Sequence, residues 1–368
     1  MIMTTPAEMH GGNIQHVAKE YGIPPSALLD FSANINPRGL PPGAAKRLAH
    51  ESSDSALLMQ YPDPEAHELR QTLSKRLDVP INAIVIGAGA GALIAAGVRA
   101  LRPQSCLIPV PAFCEYERAC VASNCVVHPF TLDSRAGFTL DLEALSRLMR
   151  KNAHDLLVVN NPHNPSGAVT DRGAMLHLLD AARTAEAGVL IDEAFIEYAP
   201  GAEITAEAAR RPGVIAVRSF TKYYGCPALR VGYAVASPET AKRVAAQLPA
   251  WSVTTLALDA MVEALKDEAY ARATLEENER ERSRLSKALA KLGLHVFPSA
   301  ANFLLLRLPE NCCSSAQLRE QLIMEHRILV RNCDSFEGLE TGHYIRVAVR
   351  REPENNRLME AISESLRR

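Results

Sequence analysis

The segment SFTKYYGCPALR, residues 219–230, sets one lysine, Lys222, between a hydroxyl three residues earlier, Ser219, and a guanidinium eight residues later, Arg230. Apolar, β-branched runs flank it, GVIAVRS before and VGYAVA after, so the lysine falls at a strand end. A primary amine can condense with an aldehyde, and a hydroxyl with an arginine can hold a phosphate. The combination suits an aldehyde cofactor that carries a phosphate. A lysine flanked by hydroxyls on a surface loop has the same local sequence, so the rest of the chain has to decide.

Further candidate groups fall where apolar runs stop. In GAGAGALI, residues 87–94, glycines between a strand and a helix let the N–H groups of Gly89, Ala90 and Gly91 approach a phosphate. The loop lacks the GxxxxGK[ST] pattern of a nucleotide P-loop. A dinucleotide reading is weak, because the third glycine is missing at the usual spacing. Phe113 in PAFCEY is an aromatic for a flat ring or for the core, with no hydroxyl to offer. Asn164 in NNPHNPSG ends another run. Asp192 in VLIDEAFIEY ends an apolar strand, where a carboxylate is costly to bury unless paired. Arg331 in ILVRNC and Arg346 in YIRVAVR supply two guanidiniums, enough for two anions held bidentately.

The lysine segment resembles the S-x-[ST]-K motif, followed by arginine, of fold-type I pyridoxal-phosphate (PLP) enzymes, and the resemblance extends in order from HGGNI to IRVAVR, nearly the whole chain. It implies PLP as cofactor and Lys222 as the catalytic, Schiff-base lysine. Ser219, Thr221, Arg230 and the main chain of Gly89, Ala90 and Gly91 would hold the phosphate. Phe113 would stack on the pyridine ring, Asn164 would donate to the phenolate oxygen, and Asp192 would pair with the protonated ring nitrogen. Tyr61, in YPD, would reach across a homodimer interface to the partner subunit's PLP phosphate. HGGNI and DFSANINP resemble the N-terminus of the threonine-phosphate decarboxylase family of the cobalamin pathway. There His10, Gly11, Asn34 and Asn164 would contact a phosphoamino-acid substrate, with Arg331 on its phosphate and Arg346 on its carboxylate. Two departures stand out. Ala88, Ala90 and Ala92 replace polar residues of the relatives' glycine loop, and Phe195 stands where aminotransferase relatives carry a tyrosine. Decarboxylation of O-phospho-L-threonine to (R)-1-amino-2-propanol phosphate is the expected reaction, with transamination of histidinol phosphate as the alternative. Phosphoserine lacks one methyl, a difference a pocket resolves by only ~1–3 kcal/mol.

From residue 84 to 236 strands alternate with helices, most strands being short apolar runs without alternation. This predicts an α/β, doubly wound domain with a mostly parallel seven-stranded sheet and a site at the strands' carboxyl ends, and the resemblance implies that it is the fold-type I transferase architecture. The expected division is an N-terminal arm over 1–40 that joins the small lobe and the active site, a large PLP-binding domain over 41–255, and a small α+β domain over 256–368. On the arm, Ser32, Asn34 and Asn36 are expected to present polar groups from a loop.

Composition narrows the classes. A net charge of −2 gives no field for nucleic acid. Eight cysteines without CxxC or metal-finger spacing read as reduced thiols of a cytoplasmic protein and predict no metal. No signal peptide opens the chain. The uncharged run Val79–Val98 has the length of a membrane span, but Pro80, Asn82 and its glycines fit a strand, a turn and a helix better. A PLP-fold effector sensor fused to DNA-binding helices would need another N-terminal domain, and the motifs already begin at residue 10.

Overall fold

A computed structural model describes residues 11–152 and 154–367. The arm contributes a short strand, β1 (Leu29–Asp30). The apolar runs that follow are β2 (Ile84–Gly87), β3 (Ser105–Val110), β4 (Val126–Thr131), β5 (Leu156–Asn160), β6 (Gly188–Asp192), β7 (Val214–Ser219) and β8 (Gly232–Val235). They form one seven-stranded sheet in the order β2-β8-β7-β6-β5-β3-β4. All neighbouring pairs from β7 to β4 are parallel, and β8 runs antiparallel to both β2 and β7. The winding reverses between β3 and β5, which opens a crevice at their carboxyl ends.

Both faces are covered, which is why the strands read as unbroken apolar runs. Leu190 and Ile215 pack with Leu93, Ile94 and Val98 on one face. Val189 and Ile191 pack with Met149, Met175 and Leu178 on the other. β4 departs from this reading. It is the sheet edge, Val126 is 59% exposed, and Pro129 is tolerated there because an edge strand can spare a donor. The run 79–98 becomes a short turn, β2 and the helix Ala90–Leu101, and no helix among the described residues is long and apolar enough to cross a membrane.

The C-terminal part holds β9 (His295–Val296), β10 (Phe303–Arg307), β11 (Ile328–Leu329), β12 (Arg331–Asn332) and β13 (Tyr344–Ala348). The segment ILVRN is two strands. β11 pairs in parallel with β1, which ties the arm to this lobe, while β12 joins an antiparallel sheet ordered β12-β13-β10-β9. The break lets one short segment serve two sheets, and the register sets Arg331 directly opposite Arg346.

The long charged stretch before Gly293 is two helices. Thr255–Ala264 packs Ala257, Leu258 and Met261 against Leu69 and Leu73 of the first lobe. Glu268–Lys291 sends Tyr270 into that same core and Leu285 and Leu289 into the core behind β10 and β13, so one helix joins both. Its charges are not all solvated. Glu281 is buried and accepts from Arg284 at 2.8 Å and Asn355 at 3.0 Å.

Candidate active site

A cavity of about 370 Å³ opens at the carboxyl ends of β5, β6 and β7. Lys222 lies on its wall, in the four-residue helix Phe220–Tyr223 that continues β7. Burial, then the charges of Arg346 and Arg230, lower the Lys222 amine to about 8, with Asp192 and Asp30 opposing. An amine so placed is neutral often enough near pH 7 to attack a carbonyl carbon.

Asp192 ends β6, next to β7 in the sheet. Its carboxylate accepts from the Tyr116 hydroxyl at 2.6 Å and the Ala194 N–H at 2.9 Å. Burial raises its pKa, against those two bonds and the charge of Lys222. A cationic ring nitrogen is the missing partner such a carboxylate calls for. Asn160, at the end of β5, donates to the Asp192 carbonyl at 2.7 Å and accepts from the Asn164 N–H at 2.7 Å, which joins the two loops.

Opposite, Ser219 and Thr221 hydroxyls lie 2.8 Å apart. Gly89 has φ +86°, and a Cβ there would stand 2.8 Å from Arg230 Nη2. Only glycine permits the loop to lie on that guanidinium. Ala90 and Gly91, the first residues of the following helix, line the cavity, so their N–H groups face where a phosphate would sit.

The substrate side is built by β12, β13 and the arm. Arg346 donates through Nη1 to Asn164 Oδ1 and through Nη2 to the Ser32 carbonyl at 3.1 Å. An arginine can only donate, so Asn164 must turn Oδ1 to it and keep Nδ2 for the cavity. Phe303 lies 5.3 Å below the Arg346 guanidinium, and Phe195 packs edge-on to Phe303. Arg331 donates to Ser335 at 2.6 Å and stands over Phe336. Burial lowers the pKa of both arginines, Arg346 to about 10. Two like charges facing each other across a ladder are destabilising unless anions join them. Asn34 lines the same cavity, with Oδ1 buried and unbonded. Gly11 lies against the Ser32 carbonyl, where a Cβ would come within 2.1 Å. His10 lies outside the described residues.

Among the described residues the predicted groups thus converge, apart from Tyr61. Tyr61 is 81% exposed and packs on Trp251, 4.9 Å between rings, away from the cavity of its own chain. Asn36, expected to present its amide from a loop, does not. Its side chain is buried and bonded to Tyr223, Tyr270 and Thr274. Sequence reasoning missed Tyr116 and Asn160. Tyr116 lies one helical turn after Phe113, and that spacing on one face was the available signal. A larger cavity of about 570 Å³ beside Trp251 contains none of the converging groups.

His163 fixes the loop that carries Asn164. Its Nε2 donates to the Pro111 carbonyl at 2.8 Å, so its Nδ1 accepts from the Ser166 hydroxyl at 2.7 Å. Burial lowers its pKa from 6.5 to about 4. The neutral form is favoured in the fold, so its share of stability is complete above pH 6.5 and is lost as pH falls toward 4. That share is about 3 kcal/mol. Urea titrations between pH 7 and pH 4 should show wild type losing more stability than His163→Asn. Parallel losses would contradict it.

Strand order, cavity position and residue set define a fold-type I transferase. The chain belongs to the class I and II aminotransferase family, whose model matches residues 26–362. It is 36% identical over 359 residues to threonine-phosphate decarboxylase of Salmonella typhimurium, covering 96% of this chain and 95% of that one. Among solved structures, L-threonine-O-3-phosphate decarboxylase from Porphyromonas gingivalis superposes with a TM-score of 0.80 at 29% identity, covering 92% of this chain and 99% of the other. Histidinol-phosphate aminotransferase from Clostridium acetobutylicum gives 0.83 at 29% identity, covering 92% of this chain and 98% of the other.

Proposed function

We propose that the chain is a PLP-dependent carboxy-lyase that converts O-phospho-L-threonine to (R)-1-amino-2-propanol phosphate and CO2 in cobalamin biosynthesis. The observation that carries this reading is Arg331 facing Arg346 at one cavity with Lys222 and Asp192. One small substrate with a phosphate and a carboxylate answers both guanidiniums. The 36% identity to a threonine-phosphate decarboxylase supports the choice of substrate.

The residues fit PLP on their own chemistry. Asp192 is a buried carboxylate suited to the ring nitrogen, and the glycine at 89 leaves a cradle on Arg230 that any side chain would fill. Ser219, Thr221, Arg230 and the Gly89–Gly91 main chain would hold the phosphate, Phe113 would cover the ring, and Asn164 Nδ2 would meet the phenolate oxygen. Phe195 adds no second donor there. Bound PLP supplies an electron sink for the bond broken at the substrate Cα. Arg346 would hold the carboxylate and Arg331 the phosphate, with Gly11 and Asn34 on the same cavity and His10 proposed as a further substrate contact, which would orient the Cα–carboxylate bond for cleavage. Lys222 would hold the cofactor through its amine, and its Nζ would supply the proton that Cα needs once CO2 is lost.

We also propose a homodimer that shares its sites. Tyr61, Met59, Leu58 and Trp251 are all more than half exposed, an apolar group that a second copy would cover while Tyr61 reaches its phosphate. Residues 1–40 would act with the small lobe, 41–255 as the cofactor domain and 256–368 as the small domain. Eight free cysteines suit a reducing compartment, the cytoplasm.

The test supplies O-phospho-L-threonine without any keto acid and, separately, histidinol phosphate with 2-oxoglutarate. CO2 release from the first supports the proposal. Glutamate from the second, with no CO2 from the first, would make the chain an aminotransferase instead. In the same assay Arg331→Lys keeps the charge and loses the planar fork. It should raise KM for phosphothreonine roughly ten- to a hundredfold and leave PLP affinity nearly unchanged.

A further inference from the structure

We propose that Asn36 is a positioning residue that sets where the Lys222 amine stands. The inference rests on Lys222 being the amine that holds PLP. A helix of four residues cannot satisfy its own last carbonyls. In Phe220–Tyr223 two of these, on Lys222 and Tyr223, find the same residue. The Asn36 N–H donates to the Lys222 carbonyl at 3.0 Å, and Asn36 Nδ2 donates to the Tyr223 carbonyl at 2.7 Å.

The same amide extends the tie. Nδ2 also lies 2.9 Å from the Tyr270 hydroxyl and 3.2 Å from Thr274 Oγ1, both on the helix that joins the two cores. Tyr270 in turn donates to the Gly39 carbonyl at 2.6 Å. Around this point arm and lysine turn touch backbone to backbone, since a Cβ on Gly225 would stand 2.7 Å from Gly39 Cα. Asn36 is 4% exposed, unlike an asparagine that merely shapes a turn. Its Oδ1 does accept from the Arg38 N–H at 3.1 Å, but that bond needs no Nδ2 donor.

The arm carries the tie onward. The Ser32 carbonyl accepts from Arg346, and the Asn34 carbonyl accepts from Asn302 at 3.1 Å. Residues 32–39 therefore link the proposed carboxylate arginine to the backbone of the lysine. Aspartate at 36 would keep the shape and the backbone bond, but it would turn an oxygen toward the Tyr223 carbonyl, which can only accept, and lose the donor that this carbonyl and the two hydroxyls now share. The lysine turn would lose one anchor and shift against the ring.

The experiment compares PLP-loaded wild type, Asn36→Asp and Tyr270→Phe. Leu289→Ala, in the distant small-lobe core, serves as the stability control. Three quantities are read: the pH midpoint of the visible absorbance of bound PLP, the thermal midpoint, and kcat and KM for O-phospho-L-threonine. Asn36→Asp should move the pH midpoint by about half a unit or more and lower kcat roughly tenfold or more, with KM within about threefold. Tyr270→Phe should move both in the same direction by less, and it remains informative if Asn36→Asp does not fold. Leu289→Ala should lower only the thermal midpoint. If the position-36 and position-270 variants also lower only the thermal midpoint, Asn36 is a packing residue and the inference is overturned. Wild type that takes up no PLP would overturn the cofactor assignment itself, before any variant is compared.

Discussion

Lys222→Ala is expected to lose turnover by at least roughly 10³-fold while the protein keeps its fold. The loss should be large because one amine would have two tasks, holding the cofactor and returning a proton, and no other lysine among the described residues lines the cavity. The fold should survive because the turn is held by its backbone and neighbours. Phe220, Tyr223 and Tyr224 are buried, and Asn36 anchors the carbonyls. Removing an amine whose charge burial and two arginines already disfavour relieves repulsion. The visible absorbance of lysine-bound PLP should vanish and circular dichroism should not change. A variant that still holds PLP covalently would sink the assignment. The same variant tests the shared site. Mixed with Tyr61→Phe under proven subunit exchange, it should regain part of the activity, and no recovery would count against Tyr61 acting across an interface.

Asp192→Asn is the second large effect. The amide is nearly isosteric and can still accept from Tyr116 through its oxygen, so packing is kept while one charge is lost. Loss of an electrostatic partner preorganised for the reaction costs on the order of 10²–10³ in kcat. The drop should fall on kcat more than on KM, because Asp192 would meet the cofactor's ring nitrogen and not the substrate groups that the arginines would hold. Stopped-flow and steady-state kinetics on PLP-saturated protein would measure it. Retention of more than about a tenth of wild-type kcat would remove Asp192 from its assigned role.

The central sheet was legible because helices cover both of its faces, so β5, β6 and β7 read as continuous apolar runs that stop at polar residues. Asp192 and Ser219 are such stopping points, Asn164 follows closely after the end of β5, and all three line the cavity. What the sequence hid depends on separation. Asn36 lies 187 residues from its partner Tyr223, and nothing local distinguishes it from the turn residues around it. The expectation that it presents its amide from a loop failed for that reason. Arg331 and Arg346 were visible as cations, but their direct opposition required the ladder register and the split of ILVRN into two strands. Glu281 sits in a run of charged residues, yet Arg284 and Asn355 cover it. The exposure of Tyr61 is what one chain alone can give if its partner is a second copy.

The antiparallel strand β8 has a consequence for how the chain is made. β2 bonds to no other strand of the sheet than β8, which is synthesised roughly 150 residues later, so this edge contact is among the most non-local in the domain. At a synthesis rate of about 5–20 residues per second, β2 and its glycine loop wait on the order of ten seconds or more without a sheet partner. The proposed phosphate cradle exists only after that closure, because it combines the loop after β2 with Ser219 and Arg230 on either side of the lysine turn. Free PLP therefore cannot select for earlier, partly assembled chains. It stabilises only those in which the last pairing has formed, so cofactor capture acts as a late ratchet on folding and not as a template for it.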